Sequence, residues 1–124
     1  MSTKIHSYED LVAWQKAHAL VLRIYQTTNT FPKEELFGLT SQLRRAAVSI
    51  PSNIVEGFGR WGSNEKKRFY NIAQASLKEA HYQLRLAEDL NYADTTDTRL
   101  LANEVERLIG GLIKGVPHTE KSSS

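Results

Sequence analysis

Residues 33–58 read KEELFGLTSQLRRAAVSIPSNIVEGF, and this stretch decides the fold. Leu36, Leu39, Leu43, Ala47, Ile50 and Ile54 recur at steps of three and four, the spacing of one face of an α-helix. No strand-like alternation competes with it. Pro32 pushes Phe31 out of helical geometry and opens the segment, while Gly57, Gly59 and Gly62 close it. Pro51 lies inside. It removes the bond to the Ala47 carbonyl and bends the helix, at a cost of about 3 kcal/mol unless neighbours compensate. Ser49, Ser52 and Asn53 flank it and are placed to satisfy the freed groups.

Working outward, three more helices are predicted. The first covers about 8–28, with Ser7 as N-cap and Asp10 at the capping-box position. Its apolar arc, from Leu11 and Trp14 to Ile24 and Tyr25, covers about 200°, against the roughly 100° that a surface helix needs. The third covers about 64–91 with Ser63 as N-cap, and its stripe of Phe69, Ala73, Ser76, Ala80, Leu84 and Ala87 is mostly small. The fourth covers about 95–114, with Leu101, Val105, Leu108 and Leu112 in line. Long helices with short loops pack their neighbours antiparallel, so the fold class is all-α, an antiparallel up-and-down four-helix bundle. It forms a single domain over residues 1–117, followed by a polar tail, 118–124.

The composition agrees with one domain. The 124 residues are 40% hydrophobic and 24% charged, the balance of a globular chain. There are no cysteines, which excludes disulfides and thiolate metal sites. The start lacks the apolar run of a signal peptide and no stretch is long enough for a membrane span, so a cytoplasmic protein without membrane contact is expected. The net charge of +2 is unevenly spread. Residues 33–85 hold nine Lys/Arg against five Asp/Glu, whereas residues 86–113 hold two against six. One basic and one acidic surface follow, and the basic one favours phosphate-rich partners.

Two helices carry apolar residues away from their main stripes. On the second these are Phe37, Val48 and Val55; on the third, Ala75, Tyr82 and Leu86. A lone bundle buries one face per helix, so these rows point to an oligomer interface. Broad stripes that wrap the core, or isolated surface apolars, give the same pattern.

Enzyme templates fail on specifics. The sequence has no H-E-x-x-H, no phosphate-cradling Gly-rich loop with Lys, and no nucleophile elbow. None of His6, His18, His81 and His118 has Glu three positions before it, so the di-iron bundle pattern is missing. His18 sits within the apolar arc of the first helix, as a core-edge residue or a ligand. Glu56 follows the Pro51 bend, and pairing with an arginine such as Arg45 explains it better than acid–base work. No catalytic residue, metal or cofactor is expected.

The basic surface is more informative. Lys67, Gln74, Lys78, His81 and Arg85 fall within about 60° of one another on the third helix and extend over about 27 Å. Before them stand Phe58-Gly-Arg60-Trp61 and Lys66-Lys67-Arg68-Phe69-Tyr70, cations interleaved with aromatics. Three cations in a first turn oppose the helix macrodipole by about 0.3–1 kcal/mol each, partly offset by Glu65. A solvated face tuned for solubility is the alternative to retention for an anionic partner.

These residues carry a resemblance. Trp14, Phe31-Pro32, Glu35, Phe37-Gly38-Leu39, Gln42, Arg44-Arg45-Ala46-Ala47, Ser49-Ile50-Pro51-Ser52-Asn53-Ile54, Glu56-Gly57, Arg60 and Phe69 resemble the 23S rRNA intervening-sequence protein family, also called the four-helix bundle protein family. The likeness spans roughly residues 8–92. Ala75-Ser76 stands where the family often has Gly-Ser, and Val55 where a smaller residue is common. The resemblance implies a bundle assembling into a ring-like homopentamer, with no enzymatic activity. Some members are encoded within 23S rRNA genes, and a related branch serves the reverse transcriptase of diversity-generating retroelements.

The expected function is a non-catalytic oligomer binding RNA or DNA phosphates through Arg44, Arg45, Arg60, Lys66, Lys67, Arg68, Lys78 and Arg85. The alternative is a protein-interaction scaffold or accessory subunit, for example to a reverse transcriptase. A third, an enzyme or ligand carrier, requires a polar cavity around His18, Asn53 and Glu56.

Overall fold

A computed structural model describes residues 4–117; the predicted tail, 118–124, lies outside the described residues. Four helices follow in chain order: α1, Val12–Thr28; α2, Leu39–Phe58; α3, Ser63–Asp89; and α4, Thr96–Gly115. Contacts run α1 to α2, α2 to α3, α3 to α4 and α4 to α1, with none across a diagonal. This is an antiparallel up-and-down four-helix bundle. No strand occurs among the described residues.

The ends of the helices explain where the sequence pattern starts and stops. Ser7 caps a short 3-10 turn, Tyr8–Asp10, and Asp10 completes the capping box, so α1 itself begins only at Val12. The second predicted helix also starts late. Lys33–Glu35 form a 3-10 turn, Gly38 breaks it with φ −113° and ψ −114°, and α2 begins at Leu39. The Glu35 carboxylate accepts the Leu39 N–H at 3.0 Å, satisfying one of the orphan donors of the helix end. That bond holds the Glu35 carboxyl below the usual carboxylate range, helped by the Tyr92 hydroxyl, which donates to it at 2.8 Å. Leu36 therefore leaves the predicted stripe and is 51% exposed. Ser63 is the first residue of α3 rather than its cap, and Gly62 takes the cap position. At the other end Asn91 adopts φ 64°, and the bonds Tyr92 N–H to Ala87 and Asn91 N–H to Glu88 close α3 with a Schellman motif.

The core is one continuous cluster. Leu20, Ile24, Leu43, Ile50, Ile54, Leu77, Leu84, Val105 and Ile109 are fully buried, each contributing about 1.5–3 kcal/mol by removal from water. Two stripes sit one residue from their predicted centres. On α3 the buried face is Tyr70, Ala73, Leu77, Ala80, Leu84 and Ala87, leaving Phe69 and Ser76 half-buried. On α4 it is Ala102, Val105 and Ile109, with Leu101, Leu108 and Leu112 half-buried beside them. Each helix stands at a corner of a square and touches two neighbours.

The most extensive contact joins α2 to α3. Ala46, Ala47 and Gly57 on one side and Ala73, Ala80 and Ala87 on the other supply small buried residues there. A Cβ on Gly57 would lie 2.6 Å from the Tyr70 ring, so only glycine admits that ring. The Ser49 and Ser76 hydroxyls share a hydrogen bond of 2.8 Å across the pair. Asn53 donates to both the Ser49 carbonyl and its hydroxyl, at 2.8 and 2.9 Å. Asn53 thus reaches back one turn to Ser49, not to the Ala47 carbonyl, and Ser49 carries the network onto α3.

The α3–α4 loop is held by Glu88. Its Oε1 accepts from Arg99 at 2.8 Å, the Thr95 N–H at 2.9 Å and the Thr95 hydroxyl at 3.0 Å. Arg99 first, then the Thr95 N–H, lower its pKa from 4.5 to about 2. A carboxyl depressed in the folded state stabilises above its unfolded pKa and loses that contribution as pH falls through the folded one. The Glu88→Gln protein is therefore expected to be less stable than the parent at pH 7 and to converge on it between pH 4.5 and 2, in urea denaturation at a series of pH values. A difference that stays constant over that range would refute the assignment.

Candidate functional site

The predicted cations fall into two groups once their partners are known. Arg44 and Lys66 are fastened to the chain's own helix ends. Arg44 Nε donates to the Thr28 hydroxyl at 2.8 Å and Nη2 to Asn29 Oδ1 at 3.2 Å, with its guanidinium 4.7 Å from the Tyr25 ring centre. It ties α2 to the end of α1. Lys66 Nζ donates to the Phe58 and Gly57 carbonyls at 2.9 and 3.2 Å. The ammonium meets the negative end of the α2 dipole, which offsets the cost of a cation in the first turn of α3.

Arg45, Arg60, Arg68, Lys78 and Arg85 are exposed, and Lys67 is half-buried. Arg60 pairs with Glu56 at 2.9 Å and Arg68 with Glu65 at 3.1 Å. Both guanidiniums also lie against the Phe69 ring, 4.7 and 4.4 Å from its centre. Arg85 pairs with Asp89 at 3.1 Å, and Lys78 approaches Glu106 of α4 at 4.0 Å. Arg45 is exposed and forms no ion pair among the described residues. Exposed pairs of this kind contribute about 0–1 kcal/mol, so each carboxylate can be exchanged for a phosphate at little cost. Arg60, Lys66, Lys67 and Arg68 come together where α2 turns into α3; Lys78 and Arg85 lie farther along α3, and Arg44 and Arg45 on the middle of α2.

The apolar rows also separate. Phe37 is 92% exposed and Tyr82 63%, and Val48 and Ala75 are exposed as well. Val55 and Leu86 are half-buried, and Leu86 packs on the subunit's own core. Leu86 is therefore not bare to water. Phe37 and Val48 border an open groove of about 660 Å³ that also takes in Tyr25, Leu36, Thr40, Ser41, Arg44, Arg45 and Ser49.

The polar trio around which a ligand cavity was sought is not assembled. His18 is exposed at the rim of α1's apolar arc, with its ring stacked on Trp14 at 5.0 Å. Asn53 is occupied by Ser49. Glu56 is exposed and pairs with Arg60 one turn on, not with Arg45, because four residues along a helix bring side chains to the same face. No group of three or more His, Asp or Glu that could hold a metal occurs among the described residues. No helix among them is long and apolar enough to cross a membrane.

The sequence model of the 23S rRNA-intervening sequence proteins matches residues 9–114. The chain belongs to that family. No curated protein matches it. Among solved structures, a protein of unknown function from the S23 ribosomal protein family of Bacteroides thetaiotaomicron superimposes with a TM-score of 0.76. It is 22% identical, and the match covers 83% of this chain and 96% of that one. At that identity the likeness speaks for the fold alone.

Two surface features of this family member were not assigned from sequence. Leu36 and Tyr25 join Phe37 in the groove, because α2 begins only after Gly38. Trp61 stands in the α2–α3 turn with its side chain 100% exposed. Its place between Arg60 and Gly62, in a turn rather than on a helix face, was the available signal.

Separating structural from solvent-facing cations has a measurable consequence. Arg44→Ala is expected to lower stability by about 1–2 kcal/mol, from two charge-assisted hydrogen bonds on a half-buried arginine. Lys78→Ala is expected to stay within about 0.5 kcal/mol of the parent. Equal losses for the two in urea denaturation would show that this division is wrong.

Proposed function

We propose that this family member is a non-catalytic, self-associating cytoplasmic bundle that holds nucleic-acid phosphates through the corner where α2 turns into α3. The observation that carries the reading is the gathering of Arg60, Lys66, Lys67 and Arg68 at one turn, where Arg60 pairs with Glu56 and Arg68 with Glu65. Phosphate contact releases counterions and favours such a corner over a duller charge distribution. Lys78 and Arg85 extend the positive surface away from it along α3, whereas Arg45 lies in the groove beside Phe37.

Self-association uses the groove beside Phe37. An aromatic side chain almost wholly in water, next to Leu36, Val48 and Tyr25, is surface that a second copy covers favourably. The groove runs from the start of α2 as far as Ser49, and the basic corner lies at the end of that helix, about nine residues or roughly 14 Å farther on. Assembly therefore leaves the corner open. The family resemblance implies a homopentamer. A second reading has the same groove receive a different protein, such as a reverse transcriptase, with this chain as accessory subunit; the apolar lining of the groove favours it over direct phosphate contact there.

Anisotropy titration of a labelled RNA across a range of salt, together with light scattering, tests the reading. Affinity is expected to fall linearly on a log–log plot. Lys67→Glu with Arg68→Glu should reduce that slope by about 1.4, roughly 0.7 per single-strand phosphate. Lys66 is left in place because it holds the end of α2. The native mass should be about 70 kDa for five copies of 14.1 kDa, falling to one copy in Phe37→Asp. Unchanged RNA binding in the double reversal overturns the corner, and a monomeric parent overturns the assembly.

A further inference from the structure

Resting on that reading, we propose that the α2–α3 turn is a stacking site for unpaired bases, so that the nucleic acid it takes is single-stranded. Trp61 carries the argument. Its side chain is 100% exposed, which leaves both faces of the indole uncovered. Bare indole is among the least favourable surfaces a chain can leave in water, and an aromatic of this size dominates an interface when covered.

The turn that presents it is held firmly. The Gly59 N–H donates to the Val55 carbonyl at 3.1 Å and the Arg60 N–H to the Gly57 carbonyl at 3.2 Å. Lys66 fastens the Gly57 and Phe58 carbonyls from the α3 side, its ammonium 5.8 Å from the Phe58 ring centre. Arg60 and Arg68 are splinted against Phe69 and tethered by Glu56 and Glu65. The backbone on either side of Trp61 is thus tied to both helices, so the indole's own rotamers are the main freedom left to be ordered on binding.

Charge selects the occupant. Residues 56–70, the segment that carries the exposed indole, hold four cations and two carboxylates. The surface therefore fits something planar and anionic in alternation. A single strand offers unpaired base faces spaced by phosphates, and base–aromatic stacking tolerates any sequence. A duplex keeps its base faces inside its own stack, and an apolar protein surface lacks the phosphates.

The chain has two tryptophans, Trp14 and Trp61, so Trp14→Phe leaves Trp61 as the only indole reporter. Its emission is expected to be quenched saturably by a twenty-residue oligothymidylate, and to change little with the same strand annealed to its complement or with inorganic polyphosphate. Labelled-strand anisotropy on proteins retaining Trp14 gives an independent measure. Trp61→Ala should lose about 5- to 150-fold in single-strand affinity, the worth of one stacked base, with duplex affinity unchanged. Trp61→Phe should recover most of it. Unaltered single-strand binding in Trp61→Ala, or equal quenching by duplex, overturns the stacking site. If salt-sensitive binding that depends on Lys67 and Arg68 persists in that case, the phosphate-binding corner stands without it. Absence of binding to every nucleic acid overturns both.

Discussion

The close approach of α2 and α3 sets the rest of the bundle. Alanines on both helices and the glycine beneath the Tyr70 ring let the two backbones come together, and the Ser49–Ser76 hydrogen bond fixes their relative height. Half-buried at that seam, the hydroxyl pair costs little while each satisfies the other. With this pair set, α1 and α4 need only close the square from the outer sides. Their buried faces include Leu20, Ile24 and Ile109. The same contact makes the connection between α2 and α3 short. A tight turn at the end of a close pair cannot retreat into the core, and so its side chains stand in water.

The cations illustrate how one residue type serves two purposes in a small bundle. Arg44 and Lys66 replace missing caps: each meets carbonyl or hydroxyl groups near the end of the preceding helix, where backbone acceptors lack partners. Arg60, Arg68 and Arg85 are instead tied to carboxylates three or four residues away on their own helices, or at its end. Such local pairs keep the guanidiniums in place without neutralising their remaining donors. A phosphate can therefore be met without rebuilding the fold.

Fold class was legible because the three- and four-residue steps of Leu39, Leu43, Ala47, Ile50 and Ile54 admit only a helix, and short connections admit only antiparallel neighbours. The centre of each buried face was less so. On α4 the aligned leucines flank Ala102, Val105 and Ile109, since a helix with two neighbours puts bulk on its shoulders. Leu36 continued the stripe numerically, but Gly38 and the Glu35 carboxylate start α2 three residues later. Of the surface, the cations could be named from sequence and their partners could not. The reach of Lys66 back across the turn, or of Arg44 to Thr28, depends on which helix ends lie beside them. Trp61 could be named among the aromatics interleaved with cations, but its complete exposure could not be read, because helical periodicity does not describe a turn.

The alternating direction of the helices also gives the molecule two unlike ends. At one, the α1–α2 and α3–α4 connections are laced together: Phe31 lies against the Tyr92 ring at 5.5 Å, and the Tyr92 hydroxyl donates to Glu35. At the other stand the Trp61 turn, the Ser7 cap and the close of α4 at Gly115. Anything joined to the bundle before residue 8 or after residue 116 therefore emerges beside Trp61, as a fused domain or purification handle would. Such an addition can shield that turn while leaving the laced pole untouched, so the choice of attachment point decides which pole of the bundle is left accessible.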